Sequence, residues 1–488
     1  MIRLRITILF TLFFSFWLSA GFAQDEDDDT TVIDPNGLLT EEQLAEAVNY
    51  VSLEEALKNP DEVYKLNLDD NGLTEIPRDI LKFKNLQALD LWKNSITKIP
   101  DFLFELTKLQ YINLGANQII TIPPGIGKLI HLKMLDLEGN QIGALPPEIG
   151  SLTKLESLAL GGNQIKELPE SVGDCESLMS VTLWGNQLTK LPKSFGNLLN
   201  MQTLDLSENQ LTVLPREIGY LQNIQILELA KNDLVSLPSG IGELKGIPYL
   251  NLSGNQLVTL PKEIGNLSFL QMIDLRENKL TALPEEFSNL MNLQSADLTG
   301  NKLLALPNSI GKMMNLRTLQ LANNQLQSLP DDFTKLINLT ELNLEGNKLK
   351  SLPGKFNRLE FLSTLNLNDN QLTELPSAIG KLVNLAELRV RYNKLTTLPA
   401  AIGELKQLQI LDLSSNQITR LPPEIGSLTE LTQLNVKGNL LADLPDQMAN
   451  LENLTYLNVQ ENALSGTVSQ RIESLMTSQI DKGLRIRW

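Results

Sequence analysis

An asparagine recurs every 23 residues along this chain, at Asn71, Asn94, Asn117, Asn140, Asn163 and onward to Asn462, which makes eighteen repeats without an insertion or deletion. A period this strict is the signature of a solenoid, in which each repeat buries its apolar residues only against its neighbours. It overrides the count of about three domains that the length alone would give.

Around each Asn the pattern is L-x-x-L-x-L-x-x-N-x-L-x-x-L-P, intact in Leu132, Leu135, Leu137, Asn140, Ile142, Leu145 and Pro146. Alternation at Leu135 and Leu137 predicts a short strand with these side chains inward and Met134, Asp136 and Glu138 outward. Parallel strands stacked about 4.8 Å apart would make an arc roughly 85 Å long, with the outward residues on its concave face. An inward amide carries donors and acceptors for the backbone of adjacent turns, so Asn94, Asn117, Asn140 and Asn163 are read as a structural ladder. Seventeen repeats then carry Pro, from Pro77 to Pro445, which fixes the backbone where no ladder donor is needed. Gly127, Gly150, Gly173, Gly196 and Gly219 suit a left-handed residue ending a short helical turn. The expected fold is α/β, a curved parallel sheet on the concave face with short helical or irregular segments on the convex face.

This pattern resembles the leucine-rich repeat family over residues 63 to 462. The LP-x-x-I-G-x-L-x-x-L segment and the 23-residue length are similar to the Ras-scaffold repeat proteins of animals and the plant intracellular Ras-group proteins. The resemblance implies a leucine-rich repeat solenoid that acts as a non-enzymatic binding scaffold in signalling. The intracellular partners of those relatives do not transfer to an exported chain. Outside the repeats and an N-terminal signal only about 65 residues remain, too few for the catalytic domains that other large relatives append.

The chain starts with Arg3 and Arg5 before an apolar stretch from Ile6 to Leu18, then Gly21, Phe22 and Ala23 before Gln24. This reads as a signal peptide over 1–23, because the stretch is too short to span a bilayer. Residues 24–39 are acidic and read as a disordered leader; they lack the spacing of a calcium loop. A helical N-terminal cap is expected over 40–62, with a capping box at Ser52 and Glu55 and a further helix over Glu41 to Tyr50. The repeats then occupy 63–464. Over 465–488 a C-terminal cap is expected, with a helix through Ile472, Leu475 and Met476 and a last strand at Leu484, Ile486 and Trp488. Disulfide-free caps and the Ala23–Gln24 junction point to an exported bacterial protein, periplasmic or secreted. No membrane insertion is expected after signal cleavage.

The chain holds 41 Lys and Arg against 58 Asp and Glu, with one His and one Cys. Phosphate recognition needs a basic surface, so nucleic acid is not an expected partner. A lone Cys and a lone His exclude a disulfide framework and a multi-ligand zinc site, and they argue against Cys–His or Ser–His–Asp catalysis. Cys175 occupies a column otherwise held by Leu129, Leu152 and Leu198, and His131 one held by Asn85, Asn200 and Asn223, so both read as structural. No cofactor and no metal are expected, and the protein is not read as an enzyme. A carboxylate glycosidase is the weakest alternative, since chance alone pairs acids on a long acidic surface.

A partner is expected on the concave face: a protein, or alternatively a glycan, bound by a monomer. Trp92 and Trp184 share one outward column four repeats apart, about 19 Å along the stack. Gly115, Glu138 and Gly161 lie between them, a low floor between two indole walls. Tyr111 and Met134 share the face, and aromatic residues concentrate binding energy at interfaces. The competing reading is of scattered exposed apolar residues. Arg389, Arg391 and Tyr392 form a second departure, a basic spot for a carboxylate or phosphate. Glu341, Glu345, Glu387 and Asp412 lie close enough in the repeat to neutralise it. A structural or adhesive role at the cell envelope, with weak multivalent contacts, is the alternative function.

Overall fold

A computed structural model describes residues 36–488; the signal-peptide segment and nearly all of the acidic leader lie outside the described residues. The described chain falls into two compact units, one ending at Gln187 and the other beginning at Leu188.

In the first unit, strands β1 (Asn49–Tyr50), β2 (Lys65–Asn67), β3 (Ala88–Asp90), β4 (Tyr111–Asn113), β5 (Met134–Asp136), β6 (Ser157–Ala159) and β7 (Ser180–Thr182) follow one another in chain order. All pair in parallel. From β2 onward the register advances by one 23-residue repeat per strand, so Ala88 faces Tyr111 and Tyr111 faces Met134. The second unit continues this pattern from β8 (Thr203–Asp205) to β20 (Arg485–Arg487), again in parallel register. From β2 onward each strand is three residues long because only its central residue and the apolar residue two positions later turn inward. Leu135 and Leu137 are buried, as are Leu132 and Ile142 from the same repeat. Each such side chain contributes about 1.5–3 kcal/mol through removal from water.

The asparagine ladder forms as expected. Asn140 Nδ2 donates to the carbonyls of Leu114 (3.0 Å) and Leu137 (3.0 Å), and its Oδ1 accepts from Ile119 N (2.9 Å). Asn94, Asn117 and Asn163 are bonded in the same way. The residue before the ladder Asn turns left-handed, at φ 54° for Lys93, 50° for Ala116 and 66° for Gly139. This places the amide inward, and it is the position where the repeat uses positive φ.

The convex-side glycines therefore have another role than the one the sequence implied. On the side opposite the strands each repeat forms a short 3-10 turn, such as Pro147–Ser151, started by the Pro column. Gly150 lies inside that turn, and a Cβ there would meet the Ser171 carbonyl oxygen of the next turn at 2.5 Å. At Gly196 and Gly219 the corresponding approaches are 2.7 Å and 2.3 Å. These glycines permit close stacking of successive turns and do not terminate them.

At the front, α1 (Glu41–Glu46) begins with a capping box between Thr40 and Gln43, which the sequence reading missed. The helix expected over Glu41 to Tyr50 stops at Glu46, and Asn49–Tyr50 pairs with β2 instead. Val48, Tyr50 and Val51 favour extended backbone, and the pairing satisfies the open strand edge. The short helix α2 (Leu53–Ala56) is capped by Ser52 as expected. At the back, α3 (Gly466–Leu475) buries Ile472, with Met476 at its end, and is followed by α4 (Thr477–Asp481). Leu475 is exposed. Strand β20 pairs with β19 (Tyr456–Asn458), and Trp488 Nε1 donates to Glu473 Oε1 at 2.7 Å.

Candidate functional site

The outward residues of the first unit form two surfaces. The first is covered by the chain itself. The segment before α1 lies along the rim where the strands start, with Gly37 left-handed at φ 71° and Thr40 extended. Leu39 N donates to Gln87 Oε1 (2.9 Å), Gln87 Nε2 to the Gly37 carbonyl (3.2 Å) and Gln110 Nε2 to the Leu39 carbonyl (3.0 Å). Glu41 then pairs with Lys133 Nζ at 2.6 Å and accepts from the Tyr111 hydroxyl at 3.3 Å. Lys65 Nζ donates to the Ala45 carbonyl. Leu44 packs in one buried cluster with Tyr111 and Met134, and Leu39, Tyr64 and Ala88 pack against it.

Tyr111 and Met134 are consequently 9% and 8% exposed, so they do not stand open beside the indoles as the sequence implied. Burial and the nearby charges of Glu41 and Glu156 push the Tyr111 phenol well above its ordinary range. The signal for this seat was present in Leu38, Leu39 and Leu44, apolar residues ahead of the first repeat. Their assignment to a leader and an end cap hid it.

The second surface holds Trp92 and Trp184. Trp92 is 42% exposed and Trp184 half-buried. The indoles do not stand as walls over an empty floor. A Cβ on Gly115 would lie 3.1 Å from Trp92 Cδ1, and one on Gly161 would lie 2.2 Å from Trp184 Nε1. Each ring thus leans over the glycine of the adjacent repeat, toward Glu138 between them. Trp184 Nε1 and Thr182 Oγ1 both donate to Glu138 Oε1, at 3.2 Å and 2.8 Å. Beside these groups are Asp90 and Asp136. Burial, aided by the charge of Asp69, raises the Asp90 carboxyl to about 6. Burial, with Glu138 and Asp90 nearby, raises Asp136 to about 7. Acids crowded under aromatic rings are stabilised by a cation placed above them, and indole faces attract the same charge.

The chemically tempting residues are structural. Cys175 is buried, its Sγ 3.2 Å from the Ile149 carbonyl, and burial pushes the thiol up to about 12. His131 Nδ1 lies 3.5 Å from Lys154 Nζ at the strand-start rim. Among the described residues no group of three or more His, Cys, Asp or Glu has the arrangement of a metal site.

In the second unit, Arg389 at the end of β16 (Glu387–Arg389) pairs with Glu387. Arg391 stacks on Tyr392, its Cζ 5.0 Å from the ring centre. Tyr392 is exposed and occupies the left-handed position before Asn393, at φ 52°. The structure thus brings these three residues together, with one of the two guanidinium groups already matched by an acid.

A groove that the sequence reading missed lies on the strand-start rim of the second unit. It encloses about 620 Å³ between Phe269 and Phe361, with Gln271, Gln294, Arg317 and Thr340 along one side. Its floor holds Asn292, Asn315 and Asn338, whose Nδ2 groups donate to the carbonyls of Ser268 (2.7 Å), Met291 (2.8 Å) and Met314 (2.8 Å). This is a second, exposed asparagine ladder. Phe269 and Phe361 replace its Asn, give up that bond and stand 64% and 56% exposed. A Phe in an Asn column was the available signal.

Comparison with known proteins places this architecture. A family profile described as a leucine-rich repeat region matches residues 123–209, 246–344 and 379–477, and a second leucine-rich repeat profile matches 61–119 and 84–142. The sequence has no match among curated proteins. Among solved structures, a leucine-rich repeat protein of Leptospira interrogans is 34% identical, covering 90% of this chain and 100% of its own, with a TM-score of 0.65. The plant peptide hormone receptor RGFR1, solved in complex with RGF2, is 29% identical over 88% of this chain and 80% of its own, at a TM-score of 0.61. The Arabidopsis receptor kinase HAESA, solved with the peptide hormone IDA and the co-receptor SERK1, is 26% identical over 84% and 81%, at 0.58. No described helix is long and apolar enough to cross a membrane. With its ladder, its parallel strands and its 3-10 turns in the spacing these profiles describe, the chain belongs to the leucine-rich repeat family.

Proposed function

We propose that this chain is an exported, non-enzymatic protein-interaction scaffold that engages a partner at the Trp92–Trp184 surface of its first unit. The observation that carries the reading is the pair of indoles leaning toward one another over Gly115 and Gly161, with Asp90, Asp136 and Glu138 crowded beside them. Rings with little conformational freedom supply apolar area, and the acids select a partner that presents Lys or Arg. Tyr111 and Met134 contribute by seating the segment that borders this surface. Arg389, Arg391 and Tyr392 offer a separate contact of opposite charge on the second unit. Protein and peptide ligands on related structures of the family support a protein partner over a glycan. The apolar stretch before Gln24 supports export, and a role in signalling follows from the scaffold reading. Chains with Trp92→Ala and Trp184→Ala together are compared with wild type for capture of a partner from a native cell-surface extract. Capture is expected to vanish while the melting curve stays cooperative; undiminished capture would place recognition elsewhere.

A further inference from the structure

The contacts that seat the N-terminal segment recur elsewhere in the chain. Gln87, Gln110 and Lys133 occupy one column in three consecutive repeats, and eight repeats later the same column holds Gln271, Gln294 and Arg317. In the first unit the two glutamines read the main chain of Gly37 and Leu39, and the lysine takes the Glu41 carboxylate. There Gln87 and Gln110 are 0% and 4% exposed, whereas Gln271, Gln294 and Arg317 are all exposed. The second set lines the groove between Phe269 and Phe361.

We propose that this groove binds an extended peptide carrying an acidic side chain, through the same kind of contacts that the first unit makes to Gly37, Leu39 and Glu41. Gln271 and Gln294 pair with the N–H and C=O groups of the peptide main chain, and Arg317 takes its carboxylate. Arg suits that role better than Lys, because its planar fork can hold both carboxylate oxygens. The neighbouring acid of the first unit, Glu156, is replaced by Thr340 in the second, which removes a like charge from beside the incoming carboxylate. Phe269 and Phe361 stand four repeats apart, about 19 Å, which an extended segment of five or six residues spans. They offer apolar contact at the two ends, where the first unit has Asn85 and Ser177. The occupant is a segment of a partner protein. This site is separate from the Trp92–Trp184 surface and stands independently of it.

The probe is a fluorescent peptide with the sequence of residues 36–46, titrated into the full chain. The chain's own copy already fills the first unit at a high effective concentration, so the added peptide reports the second. Saturable binding is expected, weakened at least about tenfold by Arg317→Glu, which loses a charge-assisted contact, and by Gln271→Ala with Gln294→Ala, which leaves the peptide main chain without its partners. It should be untouched by Trp92→Ala with Trp184→Ala, which separates this proposal from the preceding one. A peptide with Glu41→Lys should bind poorly to wild type and regain binding to the Arg317→Glu chain. These residues are exposed, and an unchanged melting curve checks that each variant folds. Three results would overturn the proposal: no saturable binding, binding lost in Lys133→Glu but kept in Arg317→Glu, or binding indifferent to both. Self-association of wild type that Arg317→Glu removes would put a second copy in the groove and also overturn it.

Discussion

The strand-start rims of the two units are built on one repeat with one backbone geometry, yet one is covered and the other open. In the first unit, Gln87, Gln110 and Lys133 lie beneath Gly37 to Glu41, and Leu44 packs in one cluster with Tyr111 and Met134. In the second, residues of the same type stand in solvent, and the positions of Tyr111 and Met134 are Ser295 and Thr318. The apolar seat for a helix is therefore absent where the amide and basic groups are retained. The inward columns fix the coil, and the outward columns decide what each stretch can hold.

The largest expected effect separates the interior of the coil from its end. Asn140→Ala leaves the Leu114 and Leu137 carbonyls and Ile119 N without their side-chain partner, a loss of about 3 kcal/mol or more. Asn71 is exposed and its side-chain amide donates to the Asp69 carbonyl, a contact within its own turn, so Asn71→Ala should cost less than about 1 kcal/mol. Urea unfolding of both variants measures the difference; equal losses would remove the ladder's structural role.

Next comes the covered rim. Leu44→Ala should weaken the seat of the N-terminal segment by about 2 kcal/mol or more. Burial and the Glu41 charge hold the Tyr111 phenol up, so uncovering it should lower its titration midpoint. Absorbance titration near 295 nm, a region in which phenolate absorbs, follows this directly, and an unmoved midpoint would mean that the segment is not what covers Tyr111.

A smaller effect is expected at the acid cluster. Asp136 titrates near 7 and Asp90 near 6 in the folded chain, above the ordinary carboxylate value of about 4. The folded state thus holds protons that the unfolded state has released. This contribution to stability is fully present below about pH 4 and is lost as pH rises through 6 to 7. Asp136→Asn should therefore stabilise the chain more at pH 8 than at pH 5 and flatten this part of the profile. Thermal melts at pH 5 and pH 8 test the sign. The smallest effect belongs to exposed ion pairs such as Lys231–Glu208, where Lys231→Ala should change the unfolding free energy by less than about 1 kcal/mol.

Much of the fold was legible because period and chemistry coincide: Asn140, Leu135 and Pro146 each do what their column requires. Gly150 was misread because sequence shows that a small residue is needed but not whether dihedral freedom or a neighbouring carbonyl demands it. The aromatic surface was only partly legible. Column arithmetic placed Trp92 and Trp184 together, but the lean of each ring over Gly115 and Gly161 depends on side-chain packing between repeats. Tyr111 and Met134 belonged to the right face, yet their cover comes from a non-repeating segment that no column can align. The Phe269–Phe361 groove was not legible from the strand positions, because its walls stand three residues before the strands that start at Met272 and Thr364.

Hydrogen–deuterium exchange of the intact chain tests most directly whether the amide-and-basic column holds the N-terminal segment. Residues 37–46 are expected to exchange slowly, and Gln87→Ala with Gln110→Ala to release that protection without altering the peptides around Gln271 and Gln294. Exchange of residues 37–46 at the rate of an unstructured peptide in the wild-type chain would contradict this.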